Sequence, residues 1–345
     1  MYKKLVKNQT TEIVAVLKQY NFVFSNISIY RNTTANNNRI FLVKNGKNKF
    51  ILRESNKSKV LKHLELEIEI LQHLYKKGFG LTPYIIPNTH NSFITICNNK
   101  YYMLENLLPG DVKAEVNNLT QFNNRKLLSL FESLAKFTKE VEKFDNPIPK
   151  DNKPLFYYVK NGKELFTNLL TKVKSSTTKD VLIDNTDFVN NFIEETERRL
   201  LAVGYDKLKK QIVHFDLHPG NVNYVKDKIT GIFDFDWVRY DHRITDLACT
   251  LGQSCYAYKG KGRALYNKEK LHLGLESYQK AYGKSEIKTG EENMIILAAL
   301  RGYMFFQLLW IIEWSINYPK NLKSNEYVRF SIDVLKLNDF DRLLN

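Results

Sequence analysis

Residues 211–236 read QIVHFDLHPGNVNYVKDKITGIFDFD and hold three oxygen-bearing side chains of interest: Asp216, Asn221 and Asp234. An Asn and an Asp together are hard oxygen ligands that suit a cation such as Mg2+, and they leave coordination positions for phosphate oxygens. A separate carboxylate at a short remove suits a base that orients a hydroxyl. These are the groups that phosphoryl transfer to an alcohol needs.

Local elements must bring them together. Gln211–Phe215 is apolar and strand-like, and Asp216 follows at once. Pro219-Gly220 forces a turn. Val222–Val225 and Ile229–Phe233 then read as the arms of a hairpin around Lys226-Asp227-Lys228. With the turn centred between Asp227 and Lys228, Asn221 faces Asp234, and opposed residues lie roughly 4.5–5.5 Å apart at Cα. Asp216 sits across a tight loop from both.

The rest of the chain divides into a strand-rich and a helix-rich part. Residues 10–20 have helical spacing. Strand-like runs follow at Asn26–Arg31, Arg39–Lys44 and Lys49–Arg53, the last two joined by Asn45-Gly46, a hairpin signal. A helix over Lys57–Lys77 ends at Gly78, and extended segments return at Ser92–Cys97 and Tyr101–Glu105 around Asn98-Asn99. From about Leu119 onward the pattern is mostly helical, apart from a Pro-containing loop near 146–154 and the 211–234 island. Strands gathered first and helices later indicate an α+β architecture. On helix 57–77, Val60, Leu64, Ile68, Leu71 and Tyr75 form one stripe at about 100° per residue. Glu67 lies at its edge, while Glu65 and Glu69 fall outside.

His214-Phe215-Asp216-Leu217-His218-Pro219-Gly220-Asn221, followed by Ile232-Phe233-Asp234-Phe235-Asp236, resembles the paired motifs H-G-D-x-x-x-x-N and I-D-[FL] of the aminoglycoside phosphotransferase / choline kinase-like superfamily. The pattern is nearest to homoserine-kinase-like and spore-coat kinase-like members, and the resemblance extends over about 40–340. It implies a bilobal protein-kinase-like fold with a nucleotide-binding N-lobe, 1–106, and a C-lobe, 107–345, that carries the catalytic loop and the acceptor site. It also implies Asp216 as catalytic base, Asn221 and Asp234 as Mg2+ ligands, and ATP or GTP as co-substrate. Arg53 stands where the family has a Lys that grips the phosphates. The family pattern E-x-x-x-L-x-x-L selects Glu67 as its helical partner, through Leu71 and Leu74. Backbone groups of Leu104, Glu105 and Asn106, after Met103, would meet an adenine edge, and the loop Asn32–Asn38 would cover the phosphates. One departure is Phe215, where the family mostly has Gly and protein kinases have Arg.

The implied reaction moves the γ-phosphate to a hydroxyl of a small molecule: an amino alcohol, a sugar or an aminoglycoside. Fewer than about ten residues separate Asp236 from the helix near Thr245, too few for the activation segment of a protein kinase. The alternative is a non-catalytic kinase-like structural or nucleotide-binding protein, which the intact Asp216/Asn221/Asp234 set argues against. His214, Asp216 and His218 alternate and could face one metal, but other His or carboxylate ligands are lacking nearby. His214 is expected to be structural. Asp236 reads equally as a second metal ligand or a solvated turn residue. Asp246 reads as a helix N-cap, and the resemblance gives the matching Asp a role in bracing the catalytic loop. Arg239, His242 and Arg243 are expected at the surface, and Trp310, Glu313 and Trp314 on a core helix.

Composition sets outer limits. The 345 residues carry 52 Lys+Arg against 37 Asp+Glu, a formal charge of +15. Of the basic residues 40 are Lys and 12 are Arg, scattered without a block of five. Readers of nucleic acid lean on Arg forks, so this charge reads as a solvated Lys-rich surface and not as a nucleic-acid footprint. The three cysteines, Cys97, Cys249 and Cys255, have no C-x-x-C spacing and read as reduced thiols. The most apolar stretch, Met304–Ile312, is too short to span a bilayer and reads as a buried helix, so no membrane partner is expected. With no signal-like start, the expected compartment is the cytosol.

Overall fold

The computed structural model describes residues 2–344 apart from 6–9, 23–26, 34–37, 56–60, 112–121, 146–150, 260–262, 284–288 and 319–323. The expected loop over Asn32–Asn38 and the start of the helix expected from Lys57 fall largely outside the described residues. The chain divides into two compact units. One is Met1–Asp111 with Thr230–Asp236; the other is Val112–Ile229 with Trp237–Asn345. The sequence suggested a single boundary at 106. The added feature is the return of 230–236 to the first unit, where Ile232 N–H donates to Leu81 O (2.6 Å) and Thr230 Oγ1 donates to Pro109 O (2.7 Å).

Among the described residues, the first unit is an antiparallel sheet with two helices. Its strands are β1 (Tyr2–Lys4), β2 (Ile27–Asn32), β3 (Arg39–Asn45), β4 (Asn48–Glu54), β5 (Ile85–Ile86), β6 (Thr95–Cys97) and β7 (Lys100–Asn106), in the order β1-β2-β3-β4-β7-β5 with β6 on β7. The two Asn-containing turns follow backbone chemistry. Asn45 pairs with Asn48 around Gly46 at φ +60°, and Asn98 (φ +50°) and Asn99 (φ +58°) both take the left-handed conformation between paired Cys97 and Lys100. The strands β1 and β5 have three and two residues, too short to show an alternation that sequence reading could detect.

Alternation across the sheet separates two faces. Phe41, Leu52 and Leu104 lie in register and pack with Ile13, Val16 and Leu17 of α1 (Thr11–Leu17). The neighbouring rung, Ile40–Arg53–Met103, points its side chains the other way. The helix α2 (Leu61–Lys76) buries Leu64, Glu67, Ile68, Ile70, Leu71 and Leu74. Tyr75, expected in that stripe, is 63 % exposed and lies against Tyr84 instead (ring centroids 5.3 Å).

The second unit is mainly helical. Its helices are α3 (Asn124–Val141), α4 (Leu155–Lys160), α5 (Gly162–Lys172), α6 (Ser176–Asp184), α7 (Thr186–Ala202), α8 (Arg243–Ser254), α9 (Lys268–Tyr282), α10 (Thr289–Asn317) and α11 (Ser324–Leu337). The short strands are β8 (Gln211–Val213), β9 (Val222–Val225), β10 (Lys228–Ile232, whose end belongs to the first unit), β11 (Arg239–Asp241), β12 (Tyr256–Lys259) and β13 (Arg263–Tyr266). β8 pairs with β11, and β12 with β13. The helix α10 is longer than its apolar stretch suggested. It is long and apolar enough to cross a membrane, yet 78 % of that span is buried inside the protein. Its two tryptophans are only half-buried, with Trp314 against Tyr318 and Tyr327, so neither is the core residue expected.

The helices α3 and α9 approach closely because Gly274 leaves room for a ring. A Cβ on Gly274 would lie 2.5 Å from Cε2 of the fully buried Phe131. Gly274→Ala is therefore expected to lower the unfolding free energy by about 1–3 kcal/mol, read from the urea midpoint at constant slope.

Candidate functional site

In the second unit, β8 runs apolar into the interior and ends at the loop His214–Asn221. His214 and Phe215 are fully buried, while Asp216 keeps 24 % of its side chain exposed. Phe215 has φ +65°, a left-handed conformation that a bulky residue adopts only at a cost of about 1–2 kcal/mol. This explains both the expectation of Gly at this position and how Phe is held here. The ring packs edge-on against Phe306 (4.9 Å) and Tyr303 (5.8 Å). The Arg239 guanidinium lies 3.7 Å from its centroid.

One face of α8 holds this loop in place. Asp246 accepts the N–H groups of His214 (2.8 Å, Oδ2) and Phe215 (2.6 Å, Oδ1). Thr250 Oγ1 donates to Leu217 O (2.9 Å), and the Cys249 thiol to Phe215 O (3.5 Å). Gln253 Nε2 donates to Asp216 Oδ1 (3.1 Å). Asp246, Cys249, Thr250 and Gln253 follow the i, i+3, i+4, i+7 spacing of a single helix face. Burial raises the Asp246 pKa to about 7, against the pull of the Phe215 and His214 N–H groups. Asp246 is not the N-cap that the sequence suggested. The cap is His242, whose Nδ1 accepts from Ile244 N (3.3 Å), and Asp246 lies one turn inside, where it can reach the loop.

His242 and Arg243 are likewise buried and not at the surface. Arg243 pairs with Glu292 (2.5 Å), and His242 caps its helix. Arg239 is half-buried; it donates to Lys153 O (2.8 Å) and to the Tyr158 hydroxyl (3.2 Å).

Asp216 is gripped on both oxygens by neutral amides. Asn221 Nδ2 donates to Oδ2 (3.0 Å) and to the Asp216 carbonyl (2.8 Å), which turns the Asn221 amide oxygen away from Asp216. His218 Nδ1 accepts the Gly220 N–H (3.0 Å), and its Nε2 lies 3.8 Å from Asp216 Oδ2. Burial lowers the His218 pKa, with Asp216 opposing. Among the described residues no group of three or more His, Cys, Asp and Glu is placed to hold a metal ion, so His214, Asp216 and His218 form no such cluster.

The turn between β9 and β10 falls at Lys226-Asp227, with Lys226 at φ +56°. It lies one residue earlier than expected, so the pairing that set Asn221 opposite Asp234 does not follow from it. Asn221 belongs to the second unit and Asp234, at φ +67°, to the first.

In the first unit, Arg53 is 5 % exposed and faces three carboxylates. It forms an ion pair with Glu67, lies 3.0 Å from Asp236 Oδ1 through Nη1, and lies 3.3 Å from Glu105 Oε1 through Nε. Burial alone would lower the Arg53 pKa; the Glu67, Glu105 and Asp236 charges more than reverse that and raise it. The other Asp236 oxygen accepts from Asn38 Nδ2 (2.7 Å). Asp236 is thus an ion-pair partner of Arg53 and not a solvated turn residue. Its partnership with Arg53 had no signal in the sequence, because the two are far apart along the chain.

The backbone of Leu104 and Glu105 is flanked on both sides, by β4 and by β5, and Asn106 N–H donates to Tyr84 O (3.3 Å). The sheet uses groups that were expected to meet an adenine edge, and the chain leaves it at Leu107. Glu105 instead contributes its side chain to Arg53.

This arrangement of antiparallel sheet and helical unit is the protein-kinase-like α+β fold. Solved structures share it over nearly the whole chain. Amicoumacin kinase in complex with AMP-PNP, Ca2+ and Ami superposes with a TM-score of 0.67 at 16 % identity, covering 98 % of this chain and 97 % of that one. A microcompartment-associated aminopropanol kinase gives 0.67 at 14 %, covering 95 % and 100 %. The aminoglycoside phosphotransferase of Alicyclobacillus acidocaldarius gives 0.64 at 15 %, covering 96 % and 94 %. Residues 31–283 match the model of the phosphotransferase enzyme family APH, and the chain belongs to that family. Among curated proteins, the homoserine kinase of Bartonella henselae is 32 % identical over 123 residues, and that of Rhodospirillum rubrum 32 % over 126. These matches span 36 % of this chain in both cases, and 34 % and 37 % of those proteins.

Two outcomes are expected. Phe215→Gly relieves the left-handed strain but empties a buried ring site, so the net loss of stability is about 2–3 kcal/mol, against about 3–5 for Phe215→Ala, both read by urea unfolding. Arg53→Met leaves three carboxylates facing one another without a counter-charge and is expected to destabilise by about 3–5 kcal/mol in the same assay.

Proposed function

We propose that this protein is a Mg2+-dependent phosphotransferase that moves the γ-phosphate of ATP, or GTP, to a hydroxyl of a small molecule. The observation that carries this reading is the Asp216 carboxylate. It is partly exposed at the end of a strand and gripped on both oxygens by the neutral donors Asn221 and Gln253. A carboxylate held in this way keeps its direction, as a base that accepts a hydroxyl proton must.

In this reading Asp216 orients the acceptor hydroxyl toward the γ-phosphorus and takes its proton as the new P–O bond forms and the bond to the departing nucleoside diphosphate breaks. Asn221, through its amide oxygen, and Asp234 are oxygen ligands of the kind Mg2+ prefers, and two protein ligands leave room for phosphate oxygens and water. The bound metal would neutralise charge on the phosphates. Arg53 and Glu67 serve the nucleotide by fixing Asp236, and with it the turn that carries Asp234. An adenine edge would be read at Leu107, the first residue beyond the sheet. The acceptor favoured is an amino alcohol, because the curated relatives are named homoserine kinases and one structural neighbour is an aminopropanol kinase.

A screen of hydroxyl compounds, L-homoserine and aminopropanol among them, for stimulated ATP or GTP consumption tests the proposal. Asp216→Ala should abolish turnover while calorimetry still records nucleotide binding, and Asp234→Ala should lose the Mg2+-dependent thermal shift with nucleotide. Turnover retained in Asp216→Ala removes this residue as the base.

A further inference from the structure

We infer that Gln253 is a positioning residue for Asp216, and that Tyr303 and Gln307 hold it in that role. The inference rests on reading Asp216 as the base. All four side chains belong to the second unit. Asp216 is served from two sides: Asn221, within its own loop, donates to Oδ2, and Gln253, from α8, donates to Oδ1. An ionised carboxylate only accepts, so it determines which end of the Gln253 amide faces it. The second hydrogen of that nitrogen goes to the Tyr303 hydroxyl (2.6 Å).

Tyr303 is fully buried, and burial keeps its phenol neutral by raising its pKa well above the usual value. Its oxygen also accepts from Gln307 Nε2 (2.5 Å), one turn further along α10. The chain of donors therefore runs in one direction, Gln307 to Tyr303 and Gln253 to both Tyr303 and Asp216. Gln307, Tyr303 and Gln253 are all neutral groups. The network can fix the plane of the Asp216 carboxylate without neutralising its charge, whereas a Lys or Arg at position 253 would compete with the acceptor for it. Directional restraint on a base matters because a small misplacement of reacting atoms costs orders of magnitude in rate.

The test compares Gln253→Met, Tyr303→Phe, their double variant and Asp216→Asn, with Mg-ATP and L-homoserine or the best acceptor of the screen as probe. Gln253→Met keeps the side-chain length and removes the donor. It is expected to lower kcat about 10- to 100-fold with KM for ATP and acceptor within about 2-fold and an unchanged melting temperature. Tyr303→Phe keeps the ring against Phe215 and should lower kcat less. The double variant should be no slower than Gln253→Met alone, because Tyr303 acts through Gln253. An unchanged kcat in Gln253→Met, or penalties that multiply in the double variant, overturns the inference. If Asp216→Asn is inactive while Gln253→Met is fully active, only this inference falls; if Asp216→Asn retains turnover, the base assignment falls and takes the inference with it. Side-chain amide NMR of the 15N-labelled protein gives a readout that needs no acceptor. The Gln253 resonances, identified by their loss in Gln253→Met, should move in both Asp216→Asn and Tyr303→Phe, and free-amide positions in the unsubstituted protein would overturn the network.

Discussion

The Asp216 loop depends on a single buried carboxylate, that of Asp246. Asp246 accepts two consecutive backbone N–H groups, those of His214 and Phe215, and so holds the chain at the residue where it turns left-handed. Without a partner these N–H groups would be buried donors, each a penalty of about 1–3 kcal/mol. The same bonds offset part of the strain at Phe215. Packing supplies the remainder, through Phe306, Tyr303 and the Arg239 guanidinium. Asp216 is thereby aimed by its neighbours in sequence and held by residues far from it.

The first unit solves a related problem with charge. Arg53 on β4 gathers carboxylates from α2, from β7 and from the returning segment 230–236. The contact to Glu105 reinforces the β4–β7 pairing, while those to Glu67 and Asp236 join elements that strand pairing alone would leave independent. A buried guanidinium needs such partners to offset its desolvation, and in finding them it ties the turn after Asp234 to the sheet. The side chain that the family pattern assigns to phosphate is, in this protein, first an internal hub.

Much of this was legible in one sequence. The strands β2, β3, β4 and β7 and the inward Glu67 follow from alternation and helical period, and the motif pair around Asp216 and Asp234 from its resemblance to a known family. What escaped has definite physical causes. Asp246 looked like a cap because Asp is favoured at helix starts, yet His242 took that place and moved Asp246 one turn inward. The spacing of Asp246, Cys249, Thr250 and Gln253 on one face was present to be read, but each residue type is ordinary by itself. His242 and Arg243 read as surface because their partners, Ile244 N–H and Glu292, are visible only once α8 and α10 are formed.

The amino-acid sequence by itself determined which groups are available and in what local order: a base candidate at Asp216, oxygen-bearing side chains at Asn221 and Asp234, a cation at Arg53 and a carboxylate facing inward at Glu67. Those properties are set by residue type and short-range period. Only the tertiary structure decided which donors hold the base, that three carboxylates share one guanidinium, and that the backbone of Leu104 and Glu105 lies within the sheet. These outcomes depend on contacts between segments many residues apart. Which partner a buried polar group finds is settled by packing, because leaving any of them unpaired costs more than bending the local chain to reach one.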